Sequence, residues 1–321
     1  MRGSSFAILR ALASGRALSV GELAARAACE SSEVRSAVRE LAGEGIEVRA
    51  TGEGFRLAAP FDALDGETIR AGLGPAAGRI RVELVDECDS TNARGAARAR
   101  AGAASGTAVV CELQRGGRGR QGARWYSGLG TSLTFSLVWR FERAAGVLTG
   151  LPLVVGVACA RALESLGAHD VALKWPNDLL LGGAKLGGVL VEAQGDARGP
   201  LAAIIGVGIN VRIPDAARRA IPQPVADLGD APYGSRSAAL ARLLAGMDEA
   251  LAMFERAGFA AFREEWQWRH AFQGARVRLL VPPERSIEGV AAGVAEDGAL
   301  LLDTGDGVKR FYAGEISLRA A

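Results

Sequence analysis

The chain opens on three apolar stripes at helical spacing. Phe6-Ala7-Ile8-Leu9 with Leu12 makes the first. Ser19 with Glu22 three residues on starts the second as a capping box: the hydroxyl can accept from the Glu22 N–H while the carboxylate returns to the Ser19 N–H. Ser31 or Ser32 is placed to cap a third, which carries Val34, Val38 and Leu41 and is stopped by Gly43 and Gly45. The period then falls to two. Ile46-Glu47-Val48-Arg49 and Phe55-Arg56-Leu57 alternate around Gly52-Glu53-Gly54, which predicts a β-hairpin. Three helices and a hairpin is the order of a winged helix-turn-helix. A plain helical module with no nucleic-acid role has the same pattern.

Residues 58–78, rich in Ala, Gly and Pro around a helical patch from Leu64 to Leu73, read as a linker. Beyond it, apolar strands alternate with long helices. Strands are expected at 80–85, 107–114, 132–140, 171–174, 178–181, 185–192 and 202–209, and helices at 92–101, 147–166, 235–257 and 259–270. That alternation argues a mixed α/β unit of catalytic size. From 274 to 319 only short strands remain, split by Pro282-Pro283, Asp297-Gly298 and Gly305-Asp306-Gly307, which predicts a small antiparallel barrel or sandwich. The class is α+β in three domains, bounded at 1–62, 63–272 and 273–321.

Composition narrows the chemistry. With 49% hydrophobic and 23% charged residues a packed core is expected, and a net charge of +2 supplies no global field toward nucleic acid or a membrane. The longest apolar run, Gly146 to Ala160, has 15 residues including Thr149 and Pro152. A spanning helix needs about 20. Met1-Arg2-Gly3-Ser4 leads into no apolar signal segment, so the cytoplasm is the expected address. His169 and His270 stand 101 positions apart and the four cysteines form no C-x-x-C pair, which leaves little for a structural zinc site or a His-centred triad. Of 38 basic residues only Lys174, Lys185 and Lys309 are lysine. In a chain that writes Arg for nearly every cation, a lysine suggests a need for a compact point charge.

Five segments carry the candidate chemistry. Gly116-Gly117-Arg118-Gly119-Arg120-Gln121-Gly122 follows the strand ending at Gln114. It contains G-x-G-x-x-G, yet no helix follows as a dinucleotide loop requires, and no Gly-Lys-Ser/Thr completes a Walker loop. What remains is a loop with arginines at 115, 118, 120 and 124. Its glycines let the backbone approach a ligand, and guanidinium forks grip phosphate or carboxylate. Lys174-Trp175-Pro176-Asn177-Asp178 ends an apolar strand, and Lys185-Leu186-Gly187-Gly188-Val189-Leu190-Val191-Glu192 follows a Gly182-Gly183 turn. A hairpin there brings residues 174 and 185 together. Two lysines and a carboxylate near an arginine loop suit an anionic ligand with a divalent ion. Gly206-Val207-Gly208-Ile209-Asn210 runs from a strand into a loop, and Asp89-Ser90-Thr91-Asn92 is placed to cap a helix near Ala93.

In this order and spacing, and with Gly314-Glu315-Ile316-Ser317-Leu318-Arg319 at the end, these segments resemble the biotin protein ligase family. The closer likeness is to its bifunctional bacterial form, which also represses biotin-synthesis genes, and it runs from about Leu9 to Arg319. The resemblance implies an N-terminal winged helix-turn-helix, a central mixed α/β catalytic domain of the class II synthetase and biotin ligase type, and a C-terminal SH3-like β-barrel. It implies that biotin's carboxylate attacks the α-phosphate of Mg-ATP, that pyrophosphate leaves, and that an acceptor lysine then attacks the retained biotinyl-adenylate. Carried over residue by residue, Ser90, Thr91, Asn92 and Gln114 hold the biotin ring and ureido group, and Arg118, Gly119 and Arg120 fold over biotin and the adenylate. Lys185 lies at the biotin carboxylate and α-phosphate. Trp125, Lys174, Asn177 and Asn210 serve the nucleotide with Arg118 and Arg120, and Asp178 serves the magnesium ion. The catalytic set is Lys185, Arg120 and Asp178. Ser31, Arg35, Ser36 and Arg39 on the third helix, with Arg49 and Arg56 on the hairpin, would meet DNA. The implied partners are the biotin carboxyl carrier protein of acetyl-CoA carboxylase, operator DNA, and a second copy of the chain when the adenylate is bound. No membrane partner is implied. None of the three lysines has a methionine neighbour, so the acceptor lies on another chain.

The sequence departs from the family at three places. Gln121 stands where bifunctional members carry a basic residue. Residues 212–230 lack the aromatic that some members fold over adenine. Residues 1–60 hold eight Arg against seven Glu, a weak electrostatic footprint for a repressor. Two other readings remain: a lipoate–protein ligase, which shares the catalytic fold, and a biotin-sensing regulator with little ligase activity. The G-R-G-R and W-P-N-D segments argue for biotin, and the intact Arg118, Arg120 and Lys185 argue for activity.

Overall fold

A computed structural model of the chain describes residues 1–142, 147–195, 200–229, 232–281, 285–312 and 317–320. Helices α1 (Gly3–Leu12), α2 (Val20–Ala27) and α3 (Ser31–Gly43) bury Ile8, Leu9, Leu12, Leu23, Val34 and Leu41 against one another. The capping box at Ser19 forms as expected, with the Ser19 N–H donating to Glu22 at 2.8 Å. The third helix is started differently. Its N-cap is Glu30 rather than Ser31 or Ser32, and Glu33 takes the Glu30 N–H at 3.0 Å. Its buried stripe uses Ala37 in place of Val38. Strands β1 (Val48–Thr51) and β2 (Gly54–Leu57) form the hairpin around a two-residue turn, with Thr51 opposite Gly54. Leu18 exchanges two backbone hydrogen bonds with Phe55, and Gly54 is obligatory there: a Cβ would fall 2.1 Å from the Leu18 carbonyl oxygen.

The expected linker is mostly not one. Helix α4 (Gly66–Gly72) and a 3₁₀ turn over Gly74–Gly78 bury Leu64, Ile69, Leu73 and Ala76 in the central core. Alanine and glycine make a weak periodic pattern, so the packing was not legible. The connection shrinks to about residues 58–63, and even that is pinned. Arg236, with 1% of its side chain exposed, donates to the Asp62 carbonyl at 2.8 Å and pairs with Glu112 at 2.5 Å, and Glu112 accepts the Leu64 N–H at 2.9 Å.

The central sheet is built from β3 (Arg81–Cys88), β4 (Thr107–Gln114), β5 (Ser132–Phe141), β6 (Ala172–Lys174), β7 (Asp178–Leu181), β8 (Ala184–Gly195) and β9 (Leu201–Asn210). Their order is β3-β4-β5-β9-β8-β7-β6. Only β3 and β4 are parallel, joined through α5 (Thr91–Arg100), so the sheet is mixed. Alternation along β5 splits its side chains. Phe135 and Leu137 enter the main core with α6 (Val147–Ser165) and α8 (Arg236–Ala257), while Val138 packs with Ala99 of α5 on the other face. Between β9 and α8 lies a short helix, α7 (Asp215–Ala220), which the sequence did not predict, and α9 (Ala260–Arg269) follows.

The C-terminal unit is a five-stranded antiparallel sheet of β10 (Arg276–Val281), β11 (Arg285–Val294), β12 (Leu300–Asp303), β13 (Val308–Phe311) and β14 (Ser317–Ala320). Its order is β13-β12-β11-β10-β14. Val277, Leu279, Ala291 and Leu302 join the central core, so this sheet shares its hydrophobic interior. Trp175, fully buried, donates its indole N–H to the Gly298 carbonyl at 3.2 Å and ties the two units. Pro282-Pro283 and Gly314 to Ile316 lie outside the described residues. The N-terminal helices dock through Leu113 and Leu129 and through charge: the Met1 ammonium meets Glu87 at 2.5 Å, and Arg10 pairs with Asp86. No described helix is long and apolar enough to cross a membrane.

Candidate active site

One cavity of about 780 Å³ is lined by Ser90, Thr91, Asn92, Gln114, Arg118, Gly119, Arg120, Trp125, Asn177, Asp178, Lys185 and Asn210. Every predicted ligand residue is there except Lys174. The topology explains the gathering. The start of α5, the ends of β4 and β9, the β7–β8 hairpin and the loop after β4 all reach the same region.

One end of the cavity is a hydrogen-bonded floor. Ser90 caps α5 by accepting the Ala93 N–H, which satisfies an orphan amide of the first turn. The Thr91 N–H donates to Gln114 Oε1 at 2.8 Å. Ser136 Oγ donates to Asn92 Oδ1 at 2.6 Å and lies 2.8 Å from Thr91 Oγ1. Asn92 Nδ2 donates to the Leu190 carbonyl at 3.3 Å and to Glu192 at 2.7 Å. Both amide protons of Asn92 are thus used within the protein. Ser136 was missed. The signal was present: Ser132, Thr134 and Ser136 are polar at a period of two in an otherwise apolar strand, and all are buried.

The glycines of the G-x-G-I-N segment make room for this floor. A Cβ on Gly206 would sit 2.1 Å from Asn92 Oδ1, and one on Gly208 would sit 2.6 Å from the Trp125 ring. Trp125 therefore lies flat against the backbone of β9 and walls the cavity, its buried indole N–H without a hydrogen-bond partner among the described residues.

The opposing wall is cationic. Lys174 on β6 stands opposite Asp178 on β7, and the Gly182-Gly183 turn folds β8 back alongside. Lys185 Nζ lies 2.6 Å from Asp178 Oδ1 and Lys174 Nζ lies 3.4 Å from Asp178 Oδ2. Two of the chain's three lysines thus converge on one carboxylate. With an ammonium at each oxygen, Asp178 is placed to hold both lysines. Among the described residues no group of three His, Cys, Asp or Glu is gathered that could hold a metal ion. Asn177 and Asn210 line the cavity with their amide nitrogens tied to the backbone: Asn177 Nδ2 donates to the Val189 carbonyl at 2.7 Å, and Asn210 Nδ2 to the Lys185 and Ala226 carbonyls at 3.2 and 2.9 Å.

Two segments cover the cavity. In the arginine loop, Arg120 faces inward; burial pulls its guanidinium below the usual arginine range, and the charge of Asp178 opposes that pull. Arg118 and Arg124 are exposed. Arg115 turns away from the ligand space altogether, pairing with Glu44 at 2.7 Å and Glu87 at 3.0 Å, so it fastens the N-terminal unit. Gln121 takes a left-handed conformation, φ 55°, at the loop's tip. The second cover is residues 213–229, where Ala217, Ala220, Ile221, Pro222 and Val225 present an aliphatic lining in place of the missing aromatic. Arg218 pairs with Asp227 at 2.6 Å, and Lys185 exchanges backbone hydrogen bonds with Pro224 and Ala226.

A polar floor, a lysine wall and an arginine cover describe a site for an acid and a polyphosphate. Comparison with known proteins agrees. Residues 88–210 match the Biotin/lipoate A/B protein ligase family and residues 273–319 match the Biotin protein ligase C terminal domain. The bifunctional ligase/repressor BirA of Salmonella typhimurium is 33% identical over 98% of this chain and 97% of its own. The chain belongs to the biotin protein ligase family. Its fold has a solved counterpart in the biotin protein ligase of Aquifex aeolicus in complex with biotin and ATP, 31% identical with a TM-score of 0.64. That match covers 75% of this ligase and 99% of the Aquifex chain. The biotin–[acetyl-CoA-carboxylase] ligase of Mycobacterium tuberculosis is 30% identical over 79% of this ligase and 95% of its own length.

Proposed function

We propose that this ligase activates biotin with Mg-ATP to biotinyl-adenylate, transfers biotin to a lysine of the carrier protein of acetyl-CoA carboxylase, and acts in the cytoplasm as a biotin-responsive repressor. The observation that carries the enzymatic half is Lys185, whose ammonium enters the same cavity as the polar floor and the inward Arg120. In this reading Ser90, Thr91 and Gln114 take the biotin ring, with Asn92 holding them. Arg118, Gly119 and Arg120 close over the adenylate. Trp125 and the 213–229 segment take the nucleotide. Two anionic groups must meet in the first step, so catalysis is mainly positioning and charge neutralisation. Incubation with biotin, Mg-ATP and a carrier domain is expected to release pyrophosphate and add one biotin to the carrier by intact mass. Release with lipoate but not biotin would assign the ligase to the other acid.

The nucleotide half of the cavity has its own test. Gly208→Ala would push the Trp125 ring off its wall. Overpacking of this kind typically costs about 1–3 kcal/mol, so the KM for ATP should rise roughly tenfold while the protein stays folded. An unchanged KM would detach Trp125 from the nucleotide.

The repressor half rests on residues 1–62, read as a winged helix-turn-helix. The relative from Salmonella that aligns over nearly the whole chain is named a repressor, whereas a quarter of this chain has no counterpart in the Aquifex ligase. On α3, Arg35 and Arg39 are exposed one turn apart, with Ser31 and Ser36 beside them. Arg49 and Arg56 are direct cross-strand partners on the hairpin. Like charges opposite one another are unfavourable alone, and a phosphate would offset that. Arg49 meanwhile pairs with Glu47 at 2.8 Å. With so small an excess of positive charge, a single module should bind DNA poorly at physiological salt, so operator binding needs two modules on a palindrome. Sedimentation and footprinting on regions upstream of biotin-synthesis genes should show dimerisation and protection strengthened by the adenylate. A dimer that protects none of them would end the repressor reading and leave the ligase intact.

A further inference from the structure

Glu192 closes the K-L-x-G-x-L-V-E segment and has no part in the chemistry described so far. It stands on β8 at the rim, with 39% of its side chain exposed, yet its carboxylate reaches two functional elements. Oε2 accepts from Asn92 Nδ2 at 2.7 Å and Oε1 lies 3.5 Å from Arg118 Nη2. We infer that Glu192 is a positioning residue that sets the hydrogen-bond polarity of the acid-binding floor through Asn92. The inference deepens the assignment of that end of the cavity to biotin's ring and rests on it.

The argument follows the protons. A carboxylate oxygen and the Leu190 carbonyl can only accept, so both N–H groups of Asn92 must point to them. Asn92 Oδ1 is then fixed toward Ser136, whose single proton goes to it. Thr91 Oγ1, 2.8 Å from Ser136 Oγ and 3.2 Å from Gln114 Oε1, must commit its own proton to one of these two acceptors. Its lone pairs are left for the cavity. Gln114 Oε1 is held by the Thr91 N–H, which turns the amide nitrogen toward Gly117 and the loop. The floor therefore offers an acceptor at Thr91 and a donor at Gln114, the complement of a cyclic urea with its N–H donors and C=O acceptor. Gly206 admits the Asn92 amide at the centre of this chain of bonds. Leu190 alone, at 3.3 Å, is the weaker of the two acceptors that orient Asn92.

The test compares Glu192→Ala, Glu192→Gln, Asn92→Ala and the double variant Asn92→Ala/Glu192→Ala by steady-state pyrophosphate release, varying biotin and ATP separately. Glu192→Ala is expected to raise the KM for biotin about tenfold, as for loss of one hydrogen bond to a charged group, with kcat within about twofold. Glutamine keeps an oxygen for Asn92 and loses only an exposed ion pair, so Glu192→Gln should stay within roughly threefold of wild type. If Glu192 acts through Asn92, the double variant is no worse than Asn92→Ala alone. A wild-type biotin KM in Glu192→Ala, a Glu192→Gln as poor as Glu192→Ala, or multiplicative defects in the double variant would each overturn the inference and leave the biotin assignment standing. A Glu192→Ala protein whose KM rises for ATP and not for biotin would instead show that this end of the cavity is the nucleotide's.

Discussion

Lys185→Ala is expected to slow adenylate formation by about 10²–10³-fold, the cost of losing one preorganised electrostatic donor at developing charge. The arrangement around Asp178 says why one lysine cannot stand in for the other. Lys174 is 9% exposed and does not line the cavity, so its ammonium offsets the Asp178 carboxylate from behind. Lys185 is held at 2.6 Å from the same carboxylate but enters the cavity, which leaves the trio with one net positive charge facing the ligand. Without Lys185 a neutral pair remains, and nothing on that wall balances a carboxylate approaching a phosphate. Lys185→Arg should recover only part of the rate, because a planar fork on a longer arm cannot put its charge where the ammonium sits between Asp178 and the ligand. Lys174→Ala should do less harm than Lys185→Ala. Single-turnover pyrophosphate release with biotin and Mg-ATP reads all three. A Lys185→Ala protein at wild-type rate would remove the residue from the chemistry.

That lysine was legible because the chain's composition is so biased toward arginine that three lysines stand out, and because a Gly-Gly turn between two apolar strands forces a hairpin. The strands of the central sheet were legible for a similar reason: long β-branched runs bounded by glycine admit few alternatives. What escaped was whatever depends on tertiary partners. The hold of Asp178 on two ammonium groups at once shows only in the fold. Arg115 belongs to the arginine loop by position, yet its partners, Glu44 and Glu87, lie far away in the chain. The helical patch at α4 was legible but its burial in the central core was not, because alanine and glycine around it give little amphipathic contrast, and α7 escaped because it is a single short piece within a Pro- and Ala-rich stretch. Ser136 escaped because a polar residue inside a strand is ordinarily its solvent face, whereas β5 is covered on both sides.

The second large effect is structural, at a buried charge no motif announced. Glu112 and Arg236 are 3% and 1% exposed and pair at 2.5 Å. Removing one member of such a pair strands the other charge in the interior, which costs about 3–5 kcal/mol, whereas replacing both with apolar side chains is often nearly neutral. Glu112→Ala also orphans the Leu64 N–H. Its melting temperature should therefore fall by roughly 10 °C. Glu112→Leu combined with Arg236→Met should melt higher than Glu112→Ala, although it has lost the same ion pair. The pair has a second consequence, because Arg236 carries the connection to the N-terminal unit: its Nε donates to the Asp62 carbonyl, its backbone N–H donates to the Asp62 carboxylate, and its guanidinium lies over the Phe61 ring, 5.7 Å from the centroid. The double variant keeps the core filled but loses the guanidinium's hold on Asp62. It should be cut by protease within 58–63 faster than wild type at temperatures where both are folded. Thermal melts and timed proteolysis separate the two roles. Melting of Glu112→Ala within about 2 °C of wild type would mean that water or a rearranged partner satisfies Arg236, and that the buried pair does not hold the connection in place.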